Sequence, residues 1–164
     1  PAEYRIGWAL GDAGTKPTVG VYRLRDKGEG TGEAAERFAK WLYNSVAFDL
    51  LAIERFLPAG ALKGSTSAAT REGAIGLHYA ARAVCAVKGK TFESIYPQTI
   101  RKHFIGRASM GDSASTKAAV VKQAQLLGYL ARDCFDTDMG DAAAIFDFAS
   151  SHFGRKASAF SLMA

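Results

Sequence analysis

Asp138 and Asp141 stand three residues apart in Asp138-Met139-Gly140-Asp141-Ala142-Ala143-Ala144-Ile145-Phe146-Asp147, and a third acid, Glu54, closes an apolar run far upstream. The C-terminal stretch predicts a helix start: Asp138 suits the N-cap, Asp141 falls in the first turn, and Ala-Ala-Ala-Ile-Phe favours helix. Carboxylates spaced by three near a helix start face nearly the same way. The pair is then either a cap plus an acid favoured by the helix dipole, or two ligands of one site. Met139 and Gly140 bring no charge to balance it.

The charge distribution bears on that choice. The formal net charge is +5 and the pI about 9.3, which suits a polyanionic partner without demanding one. Bases gather between Lys88 and Lys122, whereas acids gather at Asp133, Asp136, Asp138, Asp141 and Asp147. A basic chain with an acidic pocket suggests metal ions between the pocket and the polyanion. Cys85 and Cys134 lie in unrelated contexts, with no CxxC and no Cys/His cluster. That disfavours zinc and makes a reducing cytoplasm the expected setting. No apolar run approaches the roughly 20 residues that cross a bilayer, so a membrane partner is not expected.

The elements that must position these acids follow from pattern. The 164 residues, 48% hydrophobic and 23% charged, suffice for one domain with its own core. Arg5–Leu10 and Thr18–Leu24 predict a hairpin across a Gly/Pro-containing turn. Ala35, Phe38, Leu42 and Val46 recur at helical spacing over Glu33–Val46. Phe48–Ile53, ending at Glu54, predicts a buried parallel strand. A loop carrying Pro58 leads into a long helix over Ser67–Val87. Its small residues Ala69, Gly73, Gly76 and Ala80 allow a close neighbour, either inside the fold or across a dimer. A strand over Thr91–Tyr96, a short helix opened by Pro97, a helix from Ser115 to about Leu127, and the helix from Asp138 to about His152 complete the order. Residues 155–164 are expected as a loosely held tail behind a single domain over 1–154. The fold class is α/β, a mixed sheet flanked by helices, with functional groups at the carboxyl ends of strands, where Glu54 falls.

These residues carry a resemblance. Gly7-Trp8-Ala9-Leu10, Leu51-Ala52-Ile53-Glu54, Ser67-Ala68-Ala69-Thr70 with Gly73 and Gly76, Tyr96–Gly106, Thr116-Lys117-Ala118-Ala119-Val120 and Asp138-x-x-Asp141-Ala-x-Ala-Ile follow one another in the order of a RuvC-type Holliday junction resolvase. The chain resembles the phage-like branch of that family, on the ribonuclease H-like fold. The resemblance implies a homodimeric, structure-selective endonuclease that cuts four-way DNA junctions in recombination, repair or phage DNA processing. It also implies that Glu54, Asp138 and Asp141 are catalytic metal ligands. Phosphodiester hydrolysis at neutral pH needs an activated water and relief of charge on the leaving oxygen, which two metal ions about 3.5–4 Å apart can supply. Mg²⁺ takes hard oxygen ligands, so it is the expected cofactor, as two ions, with Mn²⁺ able to substitute. A different nuclease on RNA or other branched DNA, and a non-catalytic junction-binding protein, stay open as alternatives.

The chain departs from the family at its start. Similar proteins carry an Asp at the end of a central first strand, in a pattern like Asp-Pro-x-x-x-x-x-Gly-aromatic. Here Pro1-Ala2-Glu3-Tyr4-Arg5-Ile6-Gly7-Trp8 takes up that pattern from its Pro. The resemblance therefore puts both the Asp and its strand ahead of Pro1, with Glu3 and Asp12 as poor substitutes. For DNA, Arg101, Lys102 and Lys117 match basic positions that similar proteins use on phosphates, and Arg71 joins them with weaker support, as do Arg55, Lys63 and Arg107. Phe56 follows Glu54 closely and either stacks on bases at the junction or packs in the core. His103 and His152 read as structural or exposed, and His78 as a partner in a polar contact.

Overall fold

The computed structural model describes residues 4–26, 28–55, 68–154 and 158–162. A hairpin opens the chain: β1 (Tyr4–Asp12) pairs antiparallel with β2 (Thr18–Arg25). Helix α1 (Thr31–Ser45) follows, and Glu33 Oε2 accepts from the Gly30 N–H at its start. Next come β3 (Leu50–Glu54), α2 (Ala68–Lys88), β4 (Thr91–Ile95) and α3 (Pro97–Ile105), the last ending at Gly106 in the left-handed region with φ 76°. Helices α4 (Ser113–Leu126) and α5 (Thr137–Phe153) precede a final strand, β5 (Ser158–Leu162). No helix among the described residues is long and apolar enough to cross a membrane.

The sheet order is β2-β1-β5-β3-β4. β3 runs parallel to β4 and to β5, as its apolar composition predicts. The stretch expected as a tail thus supplies the central strand. Trp8 to Asp12 pair antiparallel with Leu162 to Ser158, and Leu50 to Ile53 pair in parallel with Ala159 to Leu162. The place assigned to a strand ahead of Pro1 is filled from the other end of the sequence. Without β5, β1 and β3 would leave unpaired N–H and C=O groups facing each other inside the sheet.

Alternation along β3 divides the molecule into three layers. Leu51 and Ile53 join Ile6, Phe38, Leu42, Leu77 and Ala81 under α1 and α2. Leu50 and Ala52 face the other way, toward Ile100, Val120, Ala124 and the Ala142–Phe146 segment of α5. Glu54 continues the second series, so its register directs it to the α5 side. Gly73 and Gly76 of α2 pack within the fold: a Cβ added at Gly73 would stand 2.6 Å from the Tyr4 hydroxyl, and one at Gly76 would touch Ala35 of α1.

Candidate active site

Two close approaches set α5 over the carboxyl edge of the sheet. A Cβ at Gly7 in β1 would lie 2.0 Å from the Asp138 carbonyl oxygen, so only glycine lets the first turn of α5 rest there. A Cβ at Gly140 would lie 2.9 Å from Val121 Cγ2, which fixes α5 against α4 in the same way. Together they bring Asp138 and Asp141 to the end of the sheet where β3 delivers Glu54.

The cap of α5 falls two residues earlier than the sequence suggests. Asp136 is the N-cap, and its Oδ1 accepts from the N–H groups of Asp138 (2.9 Å) and Met139 (3.1 Å). This frees the Asp138 side chain, which meets Arg5 of β1: Nε stands 3.1 Å from Asp138 Oδ2, and Nη2 stands 3.0 Å from Asp136 Oδ2. Arg5 therefore bridges both acids. Sequence reasoning passed over Arg5 and Asp136; the available signal was the run of acids at 133, 136 and 138, in which several residues compete for one cap.

Asp141 is in a different state. It is 5% exposed, and its Oδ2 has no hydrogen-bond partner. Burial pushes its carboxyl up to about 6, the Asp138 charge adds to that, and Lys117 and Arg101 oppose it. Burial likewise pushes Glu54 up to about 7, with Asp141 adding and Arg101 and Lys117 opposing. The two acids thus feel each other and feel the same two cations, one from α3 and one from α4. Two adjacent, poorly solvated carboxyls with an orphaned oxygen form a hard, oxygen-only donor set that a divalent cation would satisfy. Among the described residues no group of three His, Cys, Asp or Glu side chains is gathered closely enough to hold a metal ion, and the Asp138 carboxylate is engaged by Arg5.

The other expected residues are placed less centrally. Lys102 is exposed on α3, and Arg71 is half-buried on α2. Phe56 and Lys63 lie outside the described residues, as does Glu3. Asp12 ends β1 opposite Ser158, the start of β5, so it stands at the far end of the sheet from Glu54. No acid occurs in 155–164, so β5 brings no carboxylate to the site. His78 does make a polar contact, Nε2 to Ser94 Oγ at 3.0 Å. His103 binds Asp147 Oδ2 at 2.9 Å, and the opposite oxygen of Asp147 accepts from Tyr129 at 2.7 Å.

A mixed five-stranded sheet with helices on both faces matches the ribonuclease H-like fold that the sequence resemblance implies. The fold comparison agrees: the chain matches a Thermus thermophilus RuvC structure with a TM-score of 0.57 at 16% identity, over 92% of this chain and 90% of that one. The fold is therefore ribonuclease H-like and of RuvC type. No protein-family model matches the sequence. No curated protein matches it either.

Proposed function

We propose that the protein is a Mg²⁺-dependent endonuclease that cleaves branched DNA, four-way junctions above all, by phosphodiester hydrolysis. The observation that carries this reading is the buried, unpartnered Asp141 Oδ2 beside a Glu54 whose carboxyl is pushed up to about 7. Natural folds seldom leave such a group unsatisfied, and an absent ligand is one of the few explanations for it.

Glu54 and Asp141 would hold the cation, and Asp138 would join them once released from Arg5. Bound there, the ions would supply an activated water and charge relief on the leaving oxygen. Arg101 and Lys117 offset the carboxylate charge where a scissile phosphate must approach, and so lower the repulsion between an anionic site and an anionic substrate. Lys102 and Arg71 would extend the backbone contacts, and Phe56 would meet bases. Opposing nicks across a two-fold junction suit a homodimer. The outer face of α2 supports that, with Ile75, Tyr79 and Val87 at 40%, 67% and 74% exposure among the described residues. Such an enzyme would work in the cytoplasm.

The absence of a carboxylate from β5 favours a second reading, a junction-binding protein that does not cut. Synthetic four-way junctions in Mg²⁺ or Mn²⁺ separate the two. Nicking that Glu54→Gln abolishes, with binding retained, is the expected result. Tight binding without nicking in either metal would establish the second reading, and preferential cutting of RNA or linear duplex would replace the substrate.

A further inference from the structure

Arg55 is the residue after Glu54, and by alternation it faces the opposite layer, toward α2. Its guanidinium stands over the Tyr96 ring, 4.6 Å from the centroid, while its backbone N–H donates to the Ile95 carbonyl at 2.6 Å. Together with His78 and Arg82 of α2 and Phe92 and Ser94 of β4, it lines a cavity of about 320 Å³. Phe92 meets the His78 ring edge-on at 5.2 Å and forms the apolar wall. Ser94 Oγ and His78 Nε2 lie 3.0 Å apart at the polar wall.

The charge in this cavity is of one sign. Among the described residues no acid lines it, and neither Arg55 nor Arg82 has an ion-pair partner. The cavity beside α1 contrasts with it. That one is larger, about 460 Å³, but its Arg37 is already paired with Asp26 and Glu29. In the Arg55 cavity, burial first and then the charges of Arg82 and Arg55 depress the His78 imidazole below its usual range. An anion would relieve that repulsion. Two guanidinium forks beside the hydrogen-bonded Ser94–His78 pair match the tetrahedral, multiply accepting oxygens of phosphate.

We infer that the cavity bounded by Arg55, His78, Arg82 and Ser94 is a phosphate-binding pocket, and that the phosphate it takes is a backbone phosphate of the nucleic acid cut at the carboxylates. The second half rests on the function proposed above. Consecutive residues connect the two sites: Glu54 points to one face of the sheet and Arg55 to the other, both at the carboxyl end of β3. A strand crossing that edge would be gripped on the α2 side while another of its phosphates reaches Glu54 and Asp141.

Two measurements on the full chain test this. Inorganic phosphate titrated into the metal-free protein should move the His78 ring resonances, assigned with His78→Gln, and leave those of His152 in place; Arg82→Ala should abolish the response. Arg82 is exposed, so an unchanged melting temperature is expected and shows that the variant is folded. Binding to a four-way junction built from oligonucleotides without terminal phosphates should weaken about tenfold in Arg82→Ala, with the salt slope falling by about one. Arg82→Lys should restore part of both. A His78 signal indifferent to phosphate would overturn the pocket. A phosphate response with an unchanged junction salt slope would overturn the backbone source and point to a free phosphate or nucleotide. Failure of the nuclease reading is distinct: the wild type would then bind the junction without nicking it in Mg²⁺ or Mn²⁺, while the Arg82 effect on the salt slope would remain.

Discussion

Asp141 and Asp147 are the same residue type on the same helix, six positions apart, and the fold treats them oppositely. Asp147 has both oxygens engaged, one by the Tyr129 hydroxyl at 2.7 Å and one by His103 Nε2 at 2.9 Å. Its hydrogen bond and charge join burial in pushing the Tyr129 hydroxyl up to about 12. Asp141 is deeper, yet one of its oxygens has nothing, and its nearest ionisable company includes another acid. Arg101 and Lys117 are close enough to bias it and do not satisfy it. A carboxylate that only stabilised the fold would be arranged like Asp147. The arrangement at Asp141 costs stability, because burying an unpaired polar group costs about 1–3 kcal/mol. It is the arrangement that the proposed role of Asp141 as a cation ligand requires.

The largest expected effect comes from substituting the two acids in parallel. Asp141→Asn should cut junction cleavage by at least about a thousandfold, corresponding to several kcal/mol of lost transition-state charge stabilisation. Its metal-free stability should hold or rise, since a strained buried charge is removed. Asp147→Asn should do the reverse: lower stability by about 1–3 kcal/mol through a weakened pair of hydrogen bonds, and leave cleavage within a few-fold. Cleavage rates and urea melts on both variants decide the matter. If Asp141→Asn is destabilised as much as Asp147→Asn, the contrast between these two positions of α5 is wrong.

Cation and pH sharpen the same contrast. Mg²⁺ at a hundred times its dissociation constant should stabilise the wild type by about 2.7 kcal/mol, and should stabilise Glu54→Gln and Asp141→Asn far less. The proton linkage has a definite sign. Both carboxyls titrate higher in the folded protein, Asp141 at about 6 and Glu54 at about 7, than in an unfolded chain. The folded state therefore holds more protons over this interval. The stability these two groups contribute in the metal-free protein is fully present below their unfolded values near 4 and is lost as pH rises through 6 and 7. Magnesium affinity runs the other way and weakens as pH falls through that window. Melting temperatures from pH 5 to 8, with and without Mg²⁺, should converge at the acid end and separate at neutral pH. Parallel curves would mean that the cation does not compete for these protons.

Much of this comparison was legible in the sequence, and the illegible parts share a cause. Helical spacing, the Gly/Pro turns and the apolar run before Glu54 mark elements that are locally determined, and the hairpin, α2 and β3 fall where they indicate. Glu54, Asp138 and Asp141 stand out for the same reason, as acids at element ends. β5 does not: Ser158-Ala159-Phe160-Ser161-Leu162 is short, follows Gly154-Arg155-Lys156, and becomes a strand because β1 and β3 need a partner between them. The N-cap at Asp136 was hidden by two competing acids nearby. The Tyr129–Asp147–His103 chain and the Arg5 bridge join residues 18 or more positions apart, and no local pattern encodes them.

The smallest effect tests Arg5, which decides whether Asp138 belongs with the paired acids or with the unpartnered ones. Its two contacts resemble those that satisfy Asp147, but its side chain is 40% exposed, so the bridge contributes under about 1 kcal/mol. Arg5→Gln should therefore barely change the urea midpoint in metal-free protein. If Asp138 is a ligand held in reserve, the same substitution removes a competing cation and should tighten Mn²⁺ binding several-fold, read by calorimetry. Asp138→Asn should weaken that binding in the Arg5→Gln background more than in the wild type. An affinity that Arg5→Gln leaves unchanged, together with a clear loss of stability, would instead place Asp138 beside Asp147 as a structural acid and confine the cation to Glu54 and Asp141.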